Sequence, residues 1–479
     1  MKIVLIEAGD KRLINVFRAK LPREGLPILG KILEDLGHKV VIYVENIAPI
    51  NWRDVLSSDL VGISALTPTA PRAYEIAKII KTKGIPVIGG GPHFTFLPEE
   101  ALRNGIDFVV GYEGEKTIVE LVRWLEKPDP AAIGNILGLS FRIGRDIFNN
   151  PARPPIEGLD VIPFPKWSLI NGFKVKGTIP VSTSRGCPHN CTFCSVTEMF
   201  GRKYRFRSVE KVIEELERLR SQFPKASLFF YDDNLAANPE RLKILLREMI
   251  ARKINFRWSA QVRVEVYKDP ELLELMRESG CGWLYLGLES INPQTLIDFK
   301  KRQTVEDIKR GIETIHETGI QAVGMFIIGG DADDKKTAQR TIKFARECHI
   351  DAVIPWILSP LPGTQLYQQL DKERRLLKKD RGVKRWSDCD GFHVGHEPKK
   401  MKPWQLQISV NKALLNFYSF WNWVSKFWLA TGKFFSPFHS LKEKKISRDN
   451  LGIAFYVRML VLSTRRSLNR YAANLRRER

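Results

Sequence analysis

Cysteine is scarce and unevenly placed. The 479-residue chain holds six, three of them within eight positions and none before Cys187. That is no disulfide scaffold; it fits a reducing compartment and a metal site. Long apolar runs are lacking too. No charge-free stretch reaches the ~18 residues of a spanning helix, and the opening Met1-Lys2-Ile3-Val4-Leu5-Ile6-Glu7 meets an acid too soon for a signal peptide. A cytoplasmic protein is expected, at most peripheral on a membrane face. Low-complexity tracts and repeats are absent, and glycine and proline are not in excess, which argues against disorder. Acid is the minority charge, with 54 Asp and Glu against 76 Lys and Arg, a net of +22. An excess of that size calls for an anionic partner: nucleic acid, a membrane surface or a phosphorylated substrate. Half of it sits late. Residues 411–479 carry 14 basic side chains and only three acids, Glu443, Asp449 and Glu478.

What is present is a hydrophobic share of 43%, enough for a sizeable core, in a chain long enough for two or three domains. Residues 1–130 alternate short apolar runs with amphipathic stretches, among them a strand at Lys2–Ile6, a helix at Gly25–Leu36 and strands at Val40–Val44 and Asp59–Ser64. Such alternation predicts a doubly wound, Rossmann-like α/β domain. Residues 131–175 are rich in proline and predict a linker, with a small hairpin around Gly138–Ile147. Residues 176–375 begin a second series. Strands are predicted at Thr178–Thr183, Leu228–Tyr231, Arg257–Ala260, Trp283–Gly287, Ala322–Ile328 and Ala352–Leu358, with helices between them. Six such units make a partial (β/α)6 barrel of the TIM type, whose chemistry belongs at the C-terminal ends of its strands. Residues 376–479 are basic and aromatic-rich and predict helices.

The strongest motif follows the first barrel strand: Thr183-Ser184-Arg185-Gly186-Cys187-Pro188-His189-Asn190-Cys191-Thr192-Phe193-Cys194. Thiolates are soft ligands, suited to iron–sulfur clusters or zinc. Three cysteines in one loop can bind three irons of a 4Fe–4S cluster and leave the fourth open to a small molecule. A structural zinc site is the alternative. It wants four ligands in paired C-x2-4-C units, and His189, inside the loop, is poorly placed to be the fourth.

This C-x3-C-x2-C loop, with Phe193 before its last cysteine, resembles the cluster loop of the radical S-adenosylmethionine superfamily. The resemblance implies that the open iron binds the amino and carboxylate groups of S-adenosylmethionine. One electron, from a donor such as ferredoxin or flavodoxin, then splits the sulfonium and releases a 5′-deoxyadenosyl radical. It also implies roles at the other strand ends. Asp232 and Asp233 would hold the amino group or its waters, or else cap a turn. In Trp258-Ser259-Ala260-Gln261-Val262-Arg263, Gln261 would lie near the cofactor and Arg263 would clasp the methionine carboxylate, or else lie on the surface. Glu289 matches an acid near the cofactor, or forms an ion pair inside the barrel. Gly324, opening the stretch to Gly330, resembles the family's glycine-rich strand end, where backbone approaches adenine.

The first domain resembles the cobalamin-binding domain that precedes many such barrels. The matching residues are Ser64 and Thr67, then Gly89, Gly90, Gly91, Pro92 and His93, then Gly114 and Glu115, all at predicted strand ends, where open α/β sheets bind ligands. The Asp-x-His-x-x-Gly motif that supplies an axial histidine in many cobalamin proteins is missing, so a bound cobalamin would lack that ligand. His93 would serve as a ligand or only line the pocket.

Ten aromatics lie between 411 and 440, interleaved with Lys426 and Lys433. They suit a membrane interface, nucleic-acid stacking, or plain packing on the barrel. Together these features predict a cobalamin-dependent radical enzyme that transfers a methyl group to an unactivated carbon of a lipid-like substrate. A ring-forming or oxidative enzyme on a lipid or tetrapyrrole is the alternative within the class. A non-catalytic, metal-containing nucleic-acid-binding protein is the alternative outside it. Transfer RNA thiolation is disfavoured, since no cysteine precedes Cys187 to hold a second cluster.

Overall fold

In the computed structural model of the protein, the described residues are 1–9, 21–174, 177–377, 386–419 and 467–477. The first alternating series builds one sheet from β1 (Lys2–Glu7), β2 (Lys39–Val44), β3 (Leu60–Ser64), β4 (Val87–Gly90), β5 (Phe108–Val110), β6 (Leu139–Ile143) and β7 (Asp146–Asn149). Its spatial order is β2-β1-β3-β4-β5-β6-β7. The first five strands are parallel. β1 is buried along nearly all its length, as a parallel strand covered on both faces must be. Chain order reverses between β1 and β3, the switch point at which such sheets open a ligand crevice.

The span 131–175, read from sequence as a linker, does more than connect. Its hairpin β6–β7 adds two antiparallel strands to the edge of the first sheet. Trp167 and Ile170 are then buried against that domain, with the Asn171 N–H donating to Ile42 O at 2.8 Å.

The second series gives β8 (Thr178–Val181), a short antiparallel ribbon of β9 (Ser184–Arg185) and β10 (Arg205–Phe206), then β11 (Ser227–Phe230), β12 (Trp258–Val262), β13 (Cys281–Glu289), β14 (Gln321–Ile328) and β15 (Ala352–Ile357). β8 and β11 to β15 form one all-parallel sheet in the order β15-β14-β13-β12-β11-β8. β8 and β15 do not pair, so the barrel is partial. Helices start where sequence chemistry allows: Ser208, Asn238, Asp269 and Thr304 each cap one by accepting a backbone N–H. Apolar stripes such as Val212, Ile213, Leu216 and Leu219 then close the outer layer.

Residues beyond β15 cover the open edge. Gly391 O accepts from Ile357 N–H at 2.6 Å, and Phe392 packs on Trp356. The helix Pro403–Phe417 follows, and Tyr418 at its end exchanges two hydrogen bonds with the backbone of Val353. Phe417 and Tyr418, first of the aromatic run, are therefore packing residues. The rest of that run, from Phe420, lies outside the described residues. Residues 467–477 form a helix that buries Leu468, Ala472 and Leu475. Among the described residues no helix is long and apolar enough to cross a membrane.

Candidate active site

The cluster loop is fixed at both ends. Gly186 has φ +91°, and a Cβ there would lie 2.5 Å from Lys203 O, so this turn demands glycine. The Cys187 N–H donates to Gly201 O at 3.3 Å and the Thr192 N–H to Phe299 O at 3.3 Å. Phe193 stacks edge-on against Phe299, with ring centroids 5.1 Å apart. The aromatic before the last cysteine thus anchors the loop to the short helix Pro293–Asp298 and the residue beyond it.

The three thiols share one electrostatic neighbourhood. Burial raises the pKa of Cys187 and Cys191 and pushes Cys194 up to about 12; the backbone N–H groups of His189 and Val196 oppose this at Cys187 and Cys194. Thiols so desolvated ionise when a metal compensates the charge. Among the described residues no three His, Cys, Asp or Glu side chains converge on a single ion. A four-iron cluster needs no such convergence, because each thiolate takes its own iron. The donor set, free and clustered, fits that group.

The structure brings some of the expected cofactor residues to the thiols and sends others elsewhere. Asp233 opens onto the cleft beside Cys187 and Cys194; loss of bulk water, with Asp232 adding, raises its carboxyl to about 7. Asp232 is a correction. Its carboxylate is buried and taken up within the fold, accepting the Thr183 hydroxyl at 2.9 Å, the Thr183 N–H at 3.1 Å and the Ser184 hydroxyl. It holds the strand that leads into the loop and faces no cofactor.

Gln261 lies on the inner face of the barrel, its amide without a hydrogen bond among the described residues. Arg263 is near Cys191, but Glu265 and the Arg302 carbonyl already occupy Nε and Nη2. The expected clasp would rest on Nη1 alone. Glu289 has φ +60° and pairs with Lys301 at 2.8 Å, both nearly buried. This is the ion pair inside the barrel, and its ammonium also reaches the fields of Cys187 and Cys191. Lys301 had no signature in the sequence.

Gly324 needs the second correction. Its Cβ position faces Phe326, Leu288 and Ile350 on the helix side of the sheet, at 3.0 to 3.3 Å. Alternation along β14 turns Met325 inward instead. Tight packing on the helix side accounts for glycine at 324.

At the first domain's edge, Gly91 (φ +90°) passes so close to β3 that a Cβ would lie 2.9 Å from Ala65 O and 3.0 Å from Ser64 Oγ. Thr67 is buried in the following turn, Pro92 opens a helical turn, and Gly90 leaves room at the strand end. Gly89, by contrast, packs on Phe94 and Ile106. Gly114 caps the helix Glu115–Glu126. Glu115 presents one buried oxygen, Oε2, without a partner among the described residues. An orphaned acceptor beside a glycine-lined edge fits a large ligand rich in amide donors, such as cobalamin. His93 does not line that edge. It is fully buried, with Nε2 3.2 Å from the Tyr74 hydroxyl and its ring against Trp386 at 5.2 Å.

The two edges face each other. Arg185 and Arg205, opposite one another in the β9–β10 ribbon, reach back to the first domain. Arg185 Nη2 meets Glu115 Oε1 at 2.6 Å, and Arg205 Nη2 meets Glu113 Oε1 at 2.6 Å with both side chains buried. Glu113 stands next to the expected Gly114 and Glu115; the arginines were missed, though Arg185 stands only two positions before Cys187.

Inside the barrel, the inward side chains are the less buried ones. Phe229, Trp283, Tyr285, Met325, Ile327, Ile354 and Trp356 are all half-buried, while their outward neighbours are buried. Phe229 and Tyr285 touch across β12, centroids 5.6 Å apart. A closed barrel fills this layer with buried side chains; here the inner layer is rich in aromatics and only half-buried, with Trp356 packed on Phe392.

Two family models match the chain: the radical SAM superfamily over residues 181–345 and the B12 binding domain over residues 11–122. An uncharacterized methyltransferase of Pyrococcus horikoshii, PH0819, is 33% identical over 436 residues, covering 87% of this chain and 92% of that protein. The anaerobic magnesium-protoporphyrin IX monomethyl ester cyclase of Cereibacter sphaeroides is 32% identical, covering 66% of this chain and 53% of its own. Among solved structures, the radical S-adenosylmethionine methyltransferase TsrM of Kitasatospora setae has the same fold, with a TM-score of 0.68 at 18% identity and 99% of both chains covered.

Proposed function

Because the chain belongs to the radical S-adenosylmethionine superfamily, in the cobalamin-dependent methyltransferase family that carries a B12-binding domain, we propose that it transfers a methyl group to an unactivated carbon of a lipid-like substrate. When bound, the cluster and cobalamin supply one-electron cleavage of S-adenosylmethionine and carriage of the methyl group. An electron donor of the ferredoxin or flavodoxin kind supplies the reducing equivalent.

The protein's part is placement. Cys187, Cys191 and Cys194 would hold the cluster, which would take up S-adenosylmethionine. Asp233, Gln261 and Arg263 line the adjoining cleft, while Lys301, paired with Glu289, sets a positive field there. Gly90, Gly91, Ser64, Thr67 and Glu115 form the edge that would hold the corrin. The observation that carries the reading is the pair of bridges Arg185–Glu115 and Arg205–Glu113. They hold the two cofactor edges in one cleft, as transfer between two cofactors and one carbon requires. The lipid-like substrate is supported by the inner face of the barrel, where Phe229, Tyr285, Met325, Ile327 and Ile354 are half-buried aromatic and aliphatic side chains.

Ring formation is the second reading, and the likeness to the cyclase favours it. The test is a comparison of lipid and small-molecule extracts from cells with and without the protein. A product heavier by one methylene supports methyl transfer. A product that has lost hydrogen and gained no carbon supports ring formation. A change confined to water-soluble, highly charged compounds would remove the lipid-like substrate from the proposal.

A further inference from the structure

On the outer face of the barrel, the helices Thr337–Glu347 and Pro403–Phe417 leave a groove of about 480 Å³ between them. Its floor is apolar, formed by Ile342, Ile408 and Trp404. Three lysines stand along it, Lys335, Lys336 and Lys412, all exposed. None of their ammonium groups makes an ion pair or hydrogen bond among the described residues. The acids at hand are engaged: Asp334 pairs with Arg340 at 2.9 Å, and Glu347 faces Lys343 at 3.7 Å. Arg476, from the helix over 467–477, lies above the Trp404 ring at 5.3 Å and adds a fourth cation at the rim.

All three ammonium groups are solvent-exposed and open to an anion. Lysine stems over an apolar floor that includes a tryptophan are the features that seat a protein on an acidic bilayer. The intervening segment 420–466 is itself basic, with nine Lys and Arg against two acids. Charge therefore argues against that segment as the occupant. We infer that this groove docks the protein on a membrane of anionic phospholipid, taking a phosphate-bearing headgroup between Lys335, Lys336 and Lys412 and the start of its chains over Ile342, Ile408 and Trp404. The inference stands apart from the reading of the substrate, since the groove lies outside the barrel.

The test uses the full-length holoprotein and sedimentation with vesicles of phosphatidylglycerol or of phosphatidylcholine. The wild type should bind the anionic vesicles and ignore the zwitterionic ones. The triple variant Lys335→Glu, Lys336→Glu, Lys412→Glu should bind the anionic vesicles about tenfold or more weakly. A charge-matched control, Lys78→Glu, Lys83→Glu, Lys127→Glu on the first domain, should bind nearly as the wild type. Cleavage of S-adenosylmethionine with a chemical reductant should be unchanged in both, which shows that they fold. Equal vesicle binding by the groove variant and the wild type would overturn the inference, as would equal losses in groove and control variants. A groove variant that keeps vesicle binding but is reduced slowly by a ferredoxin or flavodoxin would overturn it in favour of an acidic protein partner.

Discussion

Arg185 Nη2 and Glu115 Oε1 lie 2.6 Å apart across the boundary between the two domains. The arginine stands two residues before the first cluster cysteine; the glutamate starts the helix that ends the corrin edge. One ion pair thus ties the position of one cofactor to that of the other. Glu115→Ala should loosen this tie. Arg185 keeps Glu113 at 3.6 Å, so the loss should be about 2 kcal/mol, short of the 3–5 that follow from stranding a buried charge. The informative readout is separate retention of the two cofactors. Corrin absorbance after gel filtration should fall while iron content holds. Full cobalamin retention with a normal melting curve would mean that the pair is ornamental.

Cys187→Ala, Cys191→Ala and Cys194→Ala should each abolish cluster assembly, seen as loss of broad visible absorbance near ~400 nm and of bound iron. Release of 5′-deoxyadenosine from S-adenosylmethionine should vanish with it. Cys348→Ala, at a half-buried cysteine on the far side of the barrel helices, should leave both intact. Continued 5′-deoxyadenosine release by the Cys191→Ala protein would refute the site.

Much of this was legible beforehand, and the reason differs by element. Barrel strands such as Gln321–Ile328 were visible because their apolar runs are bounded by turn residues, and the cluster loop because its spacing has few other uses. The hairpin Leu139–Asn149 was visible through its turn, but its membership of the first sheet was not. Pairing with Phe108–Val110 is decided by tertiary packing, not by local pattern. Asp232 and Gly324 were misjudged for a common reason. Sequence shows that a residue stands near a strand end; it does not show which side of the strand it faces. Asp232 turned towards Thr183 and Ser184, and Gly324 towards the helices. Lys301 and the inward aromatic wall were missed because partners across a barrel are remote in sequence.

The hydroxyl of Tyr285 makes no hydrogen bond among the described residues, though burial raises its pKa. It lies on the inner face of β13, within the field of the Tyr418 hydroxyl. Tyr285→Phe should leave stability unchanged within about 0.5 kcal/mol, since no native partner is stranded. If the hydroxyl meets the one polar end of a lipid-like substrate, KM should rise several-fold while 5′-deoxyadenosine release without substrate stays constant. A fall in that uncoupled release would place Tyr285 against the cofactor instead.

Glu24 sits at the domain boundary, where it accepts the Ser182 N–H at 2.9 Å. Burial, with the neighbouring Glu215, raises its carboxyl from 4.5 to about 7, against the opposing pull of that hydrogen bond and of Arg207. The folded state therefore holds this proton more tightly than the unfolded chain does. Its contribution to stability is complete below about pH 4.5 and is lost as pH rises through about 7. Glu24→Gln keeps an acceptor for Ser182 and removes the titration. Relative to the wild type, the variant should gain on the order of 2–3 kcal/mol between pH 5 and pH 8. Urea midpoints of both proteins at the two pH values measure this difference directly. Parallel pH dependence in wild type and variant would show that Glu24 is already ionised in the fold, and that the boundary tolerates its charge.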